Sequence, residues 1–144
     1  MRAVLDTNVL LDVLLDRKPF SVQSAQVLSK VERGELNGYA CATSVTTIFY
    51  LCSRQCGRRR ARRHVETLLS ILDVAPVNRR VIDAALVSRF ADFEDAVLSE
   101  SAALVSAEVI VTRNKRDFVA ATVPTYSPAE LLRLLGSDAL PKEE

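Results

Sequence analysis

Arg2-Ala3-Val4-Leu5-Asp6-Thr7-Asn8 decides the fold: three consecutive apolar residues stop on an acid followed by two polar residues. Unbroken apolarity over so few positions predicts a strand covered on both faces, as in a parallel sheet. The polar triplet ends that strand and caps a helix, since Thr and Asn favour the N-cap. Val9 to Leu15 is then expected as a short helix.

The same alternation runs down the chain. After Pro19, Phe20 to Arg33 carries Val22, Ala25, Val27, Leu28 and Val31 at mostly helical spacing, and Gly34 is the expected stop. Gly38 to Ala42 predicts a second strand leading into Thr43-Ser44. From Ser44, residues Val45, Ile48, Leu51 and Cys52 recur at three and four, which predicts a helix broken at Gly57. Arg58 to Leu72 is another helix, with Val65, Leu68, Leu69 and Leu72 on one face and arginines on the other. Asp73 to Pro76 reads as a strand, Asn78 to Ser88 as a helix with an Asn cap, and Asp92 to Ala107 as the next helix. Val109 to Thr112 is a strand, Asn114 to Phe118 a turn or short helix, and Val123 to Tyr126 a last strand. Ser127-Pro128 opens a final helix that Gly136 is expected to end.

Short apolar strands alternating with longer helices predict an α/β protein. Its form is a three-layer α/β/α sandwich around a mostly parallel sheet of four to five strands. One domain is expected over residues 1–136, with a polar tail over 137–144. In such sheets the binding crevice lies beyond the carboxyl ends of the strands. The residues at those exits are Asp6-Thr7-Asn8, Thr43-Ser44 and Thr112-Arg113-Asn114, and all are polar.

The 144 residues are 49% hydrophobic and 26% charged, enough for one domain with a real core. No apolar run reaches the roughly 18 residues of a bilayer crossing. An acid after only three apolar residues argues against a secretory signal, so a cytoplasmic protein without membrane contact is expected. Cys41, Cys52 and Cys56 are too few for a disulfide framework and lack zinc-ligand pairing, so they are expected as buried thiols. Net charge is +1, yet Arg54, Arg58, Arg59, Arg60, Arg62 and Arg63 fall within ten residues. Residues 91–108 hold Asp92, Glu94, Asp95, Glu100 and Glu108 with no Lys or Arg. A basic stripe and an acidic cluster on a neutral protein suggest a polyanion on one surface and a cation at another.

Asp6 follows a buried strand and can reach the crevice as a hard oxygen ligand, although capping a turn would explain it alone. Asp92 and Asp95 lie three apart on one helical face, where capping and dipole stabilisation explain them about as well as an ion does. The conjunction is more informative. Carboxylates at one sheet edge, with no His or Cys near, suit Mg²⁺ or Mn²⁺ and metal-assisted phosphodiester hydrolysis. No nucleophile-elbow serine is present. The absence of a P-loop and of G-x-G-x-x-G argues against a nucleotide cofactor. The arginine stripe fits phosphates, and fits a solvated face or an acidic partner protein equally well.

The sequence resembles the PIN domain (PilT N-terminus) family, best known for the toxin ribonucleases of VapBC-type toxin–antitoxin systems. The resemblance rests on Val4-Leu5-Asp6-Thr7-Asn8-Val9-Leu10, Thr43-Ser44-Val45-Thr46-Thr47, Asp92-Phe93-Glu94-Asp95-Ala96 and Val111-Thr112-Arg113-Asn114 with Asp117-Phe118. It implies a PIN-like fold and a metal-dependent endoribonuclease hydrolysing RNA with Mg²⁺ or Mn²⁺. A small antitoxin partner and a homodimer follow from the same resemblance. Matched residue by residue, it assigns catalysis and metal binding to Asp6, Asp92 and Asp95, with Glu94 and Asp117 as helpers. Asn8, Ser44, Thr112 and Asn114 fall on supporting polar positions. Arg58, Arg59, Arg62, Arg63 and Arg113 are the expected RNA contacts. One departure stands out. Family members usually carry a Glu six residues after the serine of an S-x-x-T pattern, and counting from Ser44 through Thr47 reaches Tyr50. That places the chain with relatives lacking the second acid, and sets beside the ribonuclease a second reading. The alternative is a weak or inactive module that binds RNA or protein.

Overall fold

The computed structural model describes residues 1–139. Strand β1 (Arg2–Leu5) leads into helix α1 (Thr7–Leu14) and then α2 (Phe20–Glu32). Strand β2 (Asn37–Cys41) is followed by α3 (Ala42–Cys56) and α4 (Arg58–Ile71). Strand β3 (Asp73–Ala75) precedes α5 (Arg79–Leu86) and α6 (Phe93–Leu104). Strand β4 (Val109–Val111), a 3-10 turn (Lys115–Phe118), strand β5 (Thr125–Tyr126) and helix α7 (Pro128–Ala139) complete the described chain.

The sheet has the order β3-β2-β1-β4-β5, and every pairing is parallel. Its two faces carry separate cores, as the unbroken apolarity of the strands requires. Ala3 and Leu5 pack with Val9, Leu10, Val27, Ile48, Leu68 and Leu131, so α1 to α4 and α7 cover one face. Val4, Cys41 and Ile110 pack with Val81, Ala85, Val97 and Phe118, so α5, α6 and the 3-10 turn cover the other. This is the three-layer α/β/α sandwich read from the sequence.

Chain order reverses at β1, whose neighbours are β2 on one side and β4 on the other. Such a switch point leaves a crevice beyond the strand ends, because the connections depart in opposite directions. Gly38 permits close packing of the layers here. A Cβ at this position would sit 2.7 Å from Leu72 Cδ2 and 2.8 Å from Val31 Cγ2.

Most boundaries shift by one to three residues from expectation, and three of the shifts have a physical reason or consequence. Helix α1 starts at Thr7, because Asp6 itself is the N-cap and its carboxylate accepts from the Thr7 N–H. The last strand shrinks to Thr125–Tyr126, since Pro124 has no N–H to donate and contributes only its carbonyl, to Ile110. Helix α7 continues through Gly136 to Ala139. Gly34 and Gly57 stop helices by taking φ of 79° and 88°, and Gly136 has no such positive φ. The tail expected over 137–144 therefore begins inside α7, and its last five residues lie outside the described part.

Candidate active site

Asp6 is the hinge between β1 and α1. Its backbone N–H donates to Val111 O on β4 at 2.8 Å, which fixes the strand exit. Both carboxylate oxygens are oriented: Oδ1 accepts from the Thr7 N–H at 2.7 Å, and Oδ2 accepts from Thr112 Oγ1 at 2.8 Å. Asp6 is buried, and burial raises its pKa above the ordinary carboxylate value. The two hydrogen bonds pull it down, while the charges of Glu94 and Asp117 push it up.

Around Asp6 the crevice is lined by Glu94 and Asp95 from α6, Asp117 from the 3-10 turn, and Asn8, Asn114 and Arg17. Four carboxylates from three parts of the chain therefore face one opening beyond β1 and β4. Asp95 feels the convergence most. Burial comes first, and the charges of Asp6, Asp92, Asp117 and Glu94 add to it, pushing its pKa up to about 7. Glu94 is steadied from α3 by the Thr47 hydroxyl, which donates to its Oε2 at 3.0 Å.

The supporting positions lie where the strand exits put them. Thr7 Oγ1 donates to buried Ser44 Oγ at 2.7 Å, tying α1 to α3. Thr112 is buried and its hydroxyl also accepts from the Asn114 N–H at 3.0 Å, so one side chain orients both Asp6 and the β4 exit. Asn8 Oδ1 accepts from the Arg113 N–H at 3.5 Å.

Two expected participants sit elsewhere. Asp92 is exposed outside the crevice lining, where its Oδ1 accepts from the Asp95 N–H at 2.9 Å and caps α6. Arg113 leaves the crevice lining too, because its guanidinium is held by Asp12 at 2.6 Å and lies 3.9 Å from the Phe20 ring centroid. Arg58, Arg59, Arg62 and Arg63 are exposed on α4. Among the described residues none of these four pairs with a carboxylate, while Arg62 lies over the Phe49 ring at 5.9 Å. Tyr50 is 58% exposed on α3. Of the thiols, Cys41 and Cys52 are buried, but Cys56 is only partly so, since it ends α3 beside Gly57.

Asp12 and Arg17 carry weight that the sequence reading did not assign. Asp12 interrupts the apolar run Val9-Leu-Leu-Asp-Val-Leu-Leu15, and an acid inside an apolar helix demands a cationic partner. That was the available signal.

No three Asp, Glu, His or Cys side chains among the described residues are drawn together tightly enough to cage a metal ion. The donor set nevertheless fits one kind of ion. Oxygen ligands alone, from carboxylates and amides, suit Mg²⁺ or Mn²⁺. Mg²⁺ keeps several waters and takes one or two carboxylates with substrate phosphates, so it needs no all-protein cage. Asp6 and Asp95 would supply that pair.

The family model for the PIN domain matches residues 2–116. Several solved structures are similar in fold. One is VapBC2 from Rickettsia felis bound to a DNA fragment from their promoter, 12% identical, covering 88% of this chain and 98% of that chain, with a TM-score of 0.71. A toxin-antitoxin complex from Klebsiella pneumoniae is 20% identical over 88% and 97% of the two chains, with a TM-score of 0.66. The Mycobacterium tuberculosis toxin VapC20, which cleaves the sarcin-ricin loop, is 16% identical over 75% and 86%, with a TM-score of 0.62. Comparison with curated protein sequences finds no match. No described helix is long and apolar enough to cross a membrane.

Proposed function

Because the chain belongs to the PIN domain family, we propose that it is a metal-dependent endoribonuclease, the toxin half of a toxin–antitoxin pair. One observation carries the reading: Asp6, Glu94, Asp95 and Asp117 face a single crevice at the switch point of the sheet. Among the described residues the crevice lining holds no Ser, Cys, His or Lys, and its Thr7 hydroxyl is already engaged with Ser44. Hydrolysis there would use water as nucleophile, with carboxylates arranged around it.

Asp6 and Asp95 would hold Mg²⁺ or Mn²⁺, with Glu94 and Asp117 on the rim. The ion, when bound, would supply Lewis-acid activation and neutralise charge at the phosphate. The chain's own part is orientation. Thr112 and the Thr7 N–H fix Asp6, Thr47 holds Glu94, and burial of Asp6 limits competing water. Exposed Arg58, Arg59, Arg62 and Arg63 would bind RNA phosphates away from the acids.

A second reading, a weak or non-catalytic binding module, is favoured by Tyr50 at the α3 position where the family resemblance calls for a Glu. Labelled RNA incubated with the purified chain decides between them. Cleavage with Mn²⁺ that chelator stops and Asp6→Asn abolishes supports the nuclease. RNA binding without cleavage in either metal supports the module.

A further inference from the structure

A second depression joins the acid crevice. It lies between α1 and α3 and is lined by Leu11, Leu15, Arg17, Leu51, Arg54 and Gln55, sharing Leu11 and Arg17 with the crevice. Among the described residues no carboxylate lines it, in contrast with the four beside it. One α3 residue of its wall, Arg54, ends a helical row whose other members stand outside the lining. Thr47, Tyr50 and Arg54 are spaced at three and four, so they follow one another along α3. Thr47 anchors the near end to Glu94. Tyr50 stands next, more than half exposed, with Arg54 Nη1 donating to its hydroxyl at 3.3 Å and the Arg54 guanidinium 5.8 Å from its ring centroid. Two residues past Gln55, Gly57 turns the chain at φ 88° into the arginine-rich start of α4.

The cations here are placed to meet an anion. Arg17 uses Nε to hold Asp12 at 3.0 Å yet keeps a side chain 42% exposed. Arg54 makes no ion pair among the described residues. An exposed aromatic, hydrogen-bonded to one of the two arginines that line a groove free of carboxylates among the described residues, is the arrangement that binds single strands, through base stacking and phosphate neutralisation. We infer that single-stranded RNA leaves the acid crevice along this α1–α3 groove, with phosphates on Arg17 and Arg54 and a base stacked on Tyr50. The inference rests on the ribonuclease reading and specifies its substrate path. Tyr50 then works as a stacking platform at a position where the family resemblance calls for a carboxylate.

The test uses the full chain in chelator, so that binding is read without cleavage. The probe is a labelled single-stranded 12-mer RNA containing 5-iodouridine. Tyr50→Ala should weaken binding about tenfold, whereas Tyr50→Phe, which keeps the ring, should stay within about twofold of wild type. Arg54→Gln should lower the slope of log affinity against log salt by about 0.7. Photocrosslinking should place the adduct on the peptide containing Tyr50. If RNA binds and all three variants match wild type with no adduct on α3, this path is wrong and the ribonuclease reading stands. Should an acidic peptide bind in a Tyr50-dependent way while RNA does not, the groove serves a protein and the inference fails. Wild-type chain that binds no RNA overturns both.

Discussion

Arg113 Nε lies 2.6 Å from Asp12 Oδ2, and Arg113 Nη2 reaches Asp12 Oδ1 at 3.3 Å, a forked contact between the β4 exit and helix α1. The Asp12 side chain is 0% exposed. Arg17 completes its shell at 3.0 Å, and the Arg113 guanidinium is stacked 3.9 Å from the Phe20 ring centroid. A buried carboxylate is tolerated only when paired and hydrogen-bonded, so this cluster is an obligatory unit. Its consequence reaches the crevice, since the Arg113 N–H meets Asn8 and Arg17 lines the same opening.

Removing the acid should therefore cost more than removing a surface ion pair. Asp12→Ala leaves two arginines without their shared partner, and a loss of about 3 kcal/mol is expected from breaking a buried pair. Urea unfolding measures it as a lower midpoint at an unchanged m-value. A loss below about 1 kcal/mol would show that solvent replaces the carboxylate, as it does at exposed pairs.

Asp95 sets a pH dependence whose sign is opposite to the common case of a salt-bridged acid. Its pKa is pushed up to about 7 from 3.8 by burial and four neighbouring carboxylates. Between about pH 4 and pH 7 the native state holds a proton that the unfolded chain has released. Stability therefore falls as pH rises through that window and levels above it. Asp6, raised by burial, adds in the same direction. Thermal unfolding from pH 4 to pH 8 should show the decline, and Asp95→Asn should flatten it and raise Tm at pH 8. Mn²⁺ should raise Tm at pH 8 and do less at pH 5, because proton and metal compete for one carboxylate. An equal metal effect at both values would remove Asp95 from the ion's ligands.

Asp92 and Asp95 separate capping from chemistry. Asp92→Ser retains an N-cap acceptor for the Asp95 N–H, so stability should change by only a few tenths of a kcal/mol, and RNA cleavage should persist. Asp95→Asn should abolish cleavage while the helix stays folded by circular dichroism. If the Asp92 variant loses cleavage as completely, its charge serves the ion from outside the crevice lining.

The fold was legible because the strands are short, apolar on both faces and followed at once by polar residues. Val4-Leu5-Asp6 and Val111-Thr112 mark where chain direction and burial both change. The candidate site was legible in part. Asp6 and Asp95 carry strand-exit and helix-start signals, but the same signals fit Asp92; Asp6 and Asp92 both cap helices, and only Asp6 and Asp95 line the crevice. Arg113 looked free because its partner Asp12 is 101 residues distant in sequence. No local pattern encodes such a pairing. Glu94 and Asp117 differ in the same way: each is one of several surface acids until the sheet order brings them beside Asp6.

The α4 arginines provide the last prediction, which separates recognition from hydrolysis. Arg58, Arg59, Arg62 and Arg63 are exposed and, among the described residues, lack carboxylate partners. Replacing all four by Gln removes no buried ion pair, so Tm should move little. If each meets a phosphate, the slope of log RNA affinity against log salt should fall by roughly 0.7 per residue, almost three for the set. Metal affinity should stay near wild type, because these exposed arginines stand outside the crevice lining and exposed charges are screened over about 10 Å at 0.1 M salt. Asp6→Asn should do the reverse, abolishing cleavage while RNA still binds with the wild-type slope. Anisotropy titrations at several salt concentrations, beside calorimetric Mn²⁺ binding, resolve both quantities. An unchanged slope in the quadruple variant would assign the stripe to a protein partner or to solvent. The search for phosphate contacts would then move to exposed Lys115 and Arg116 beside Asp117.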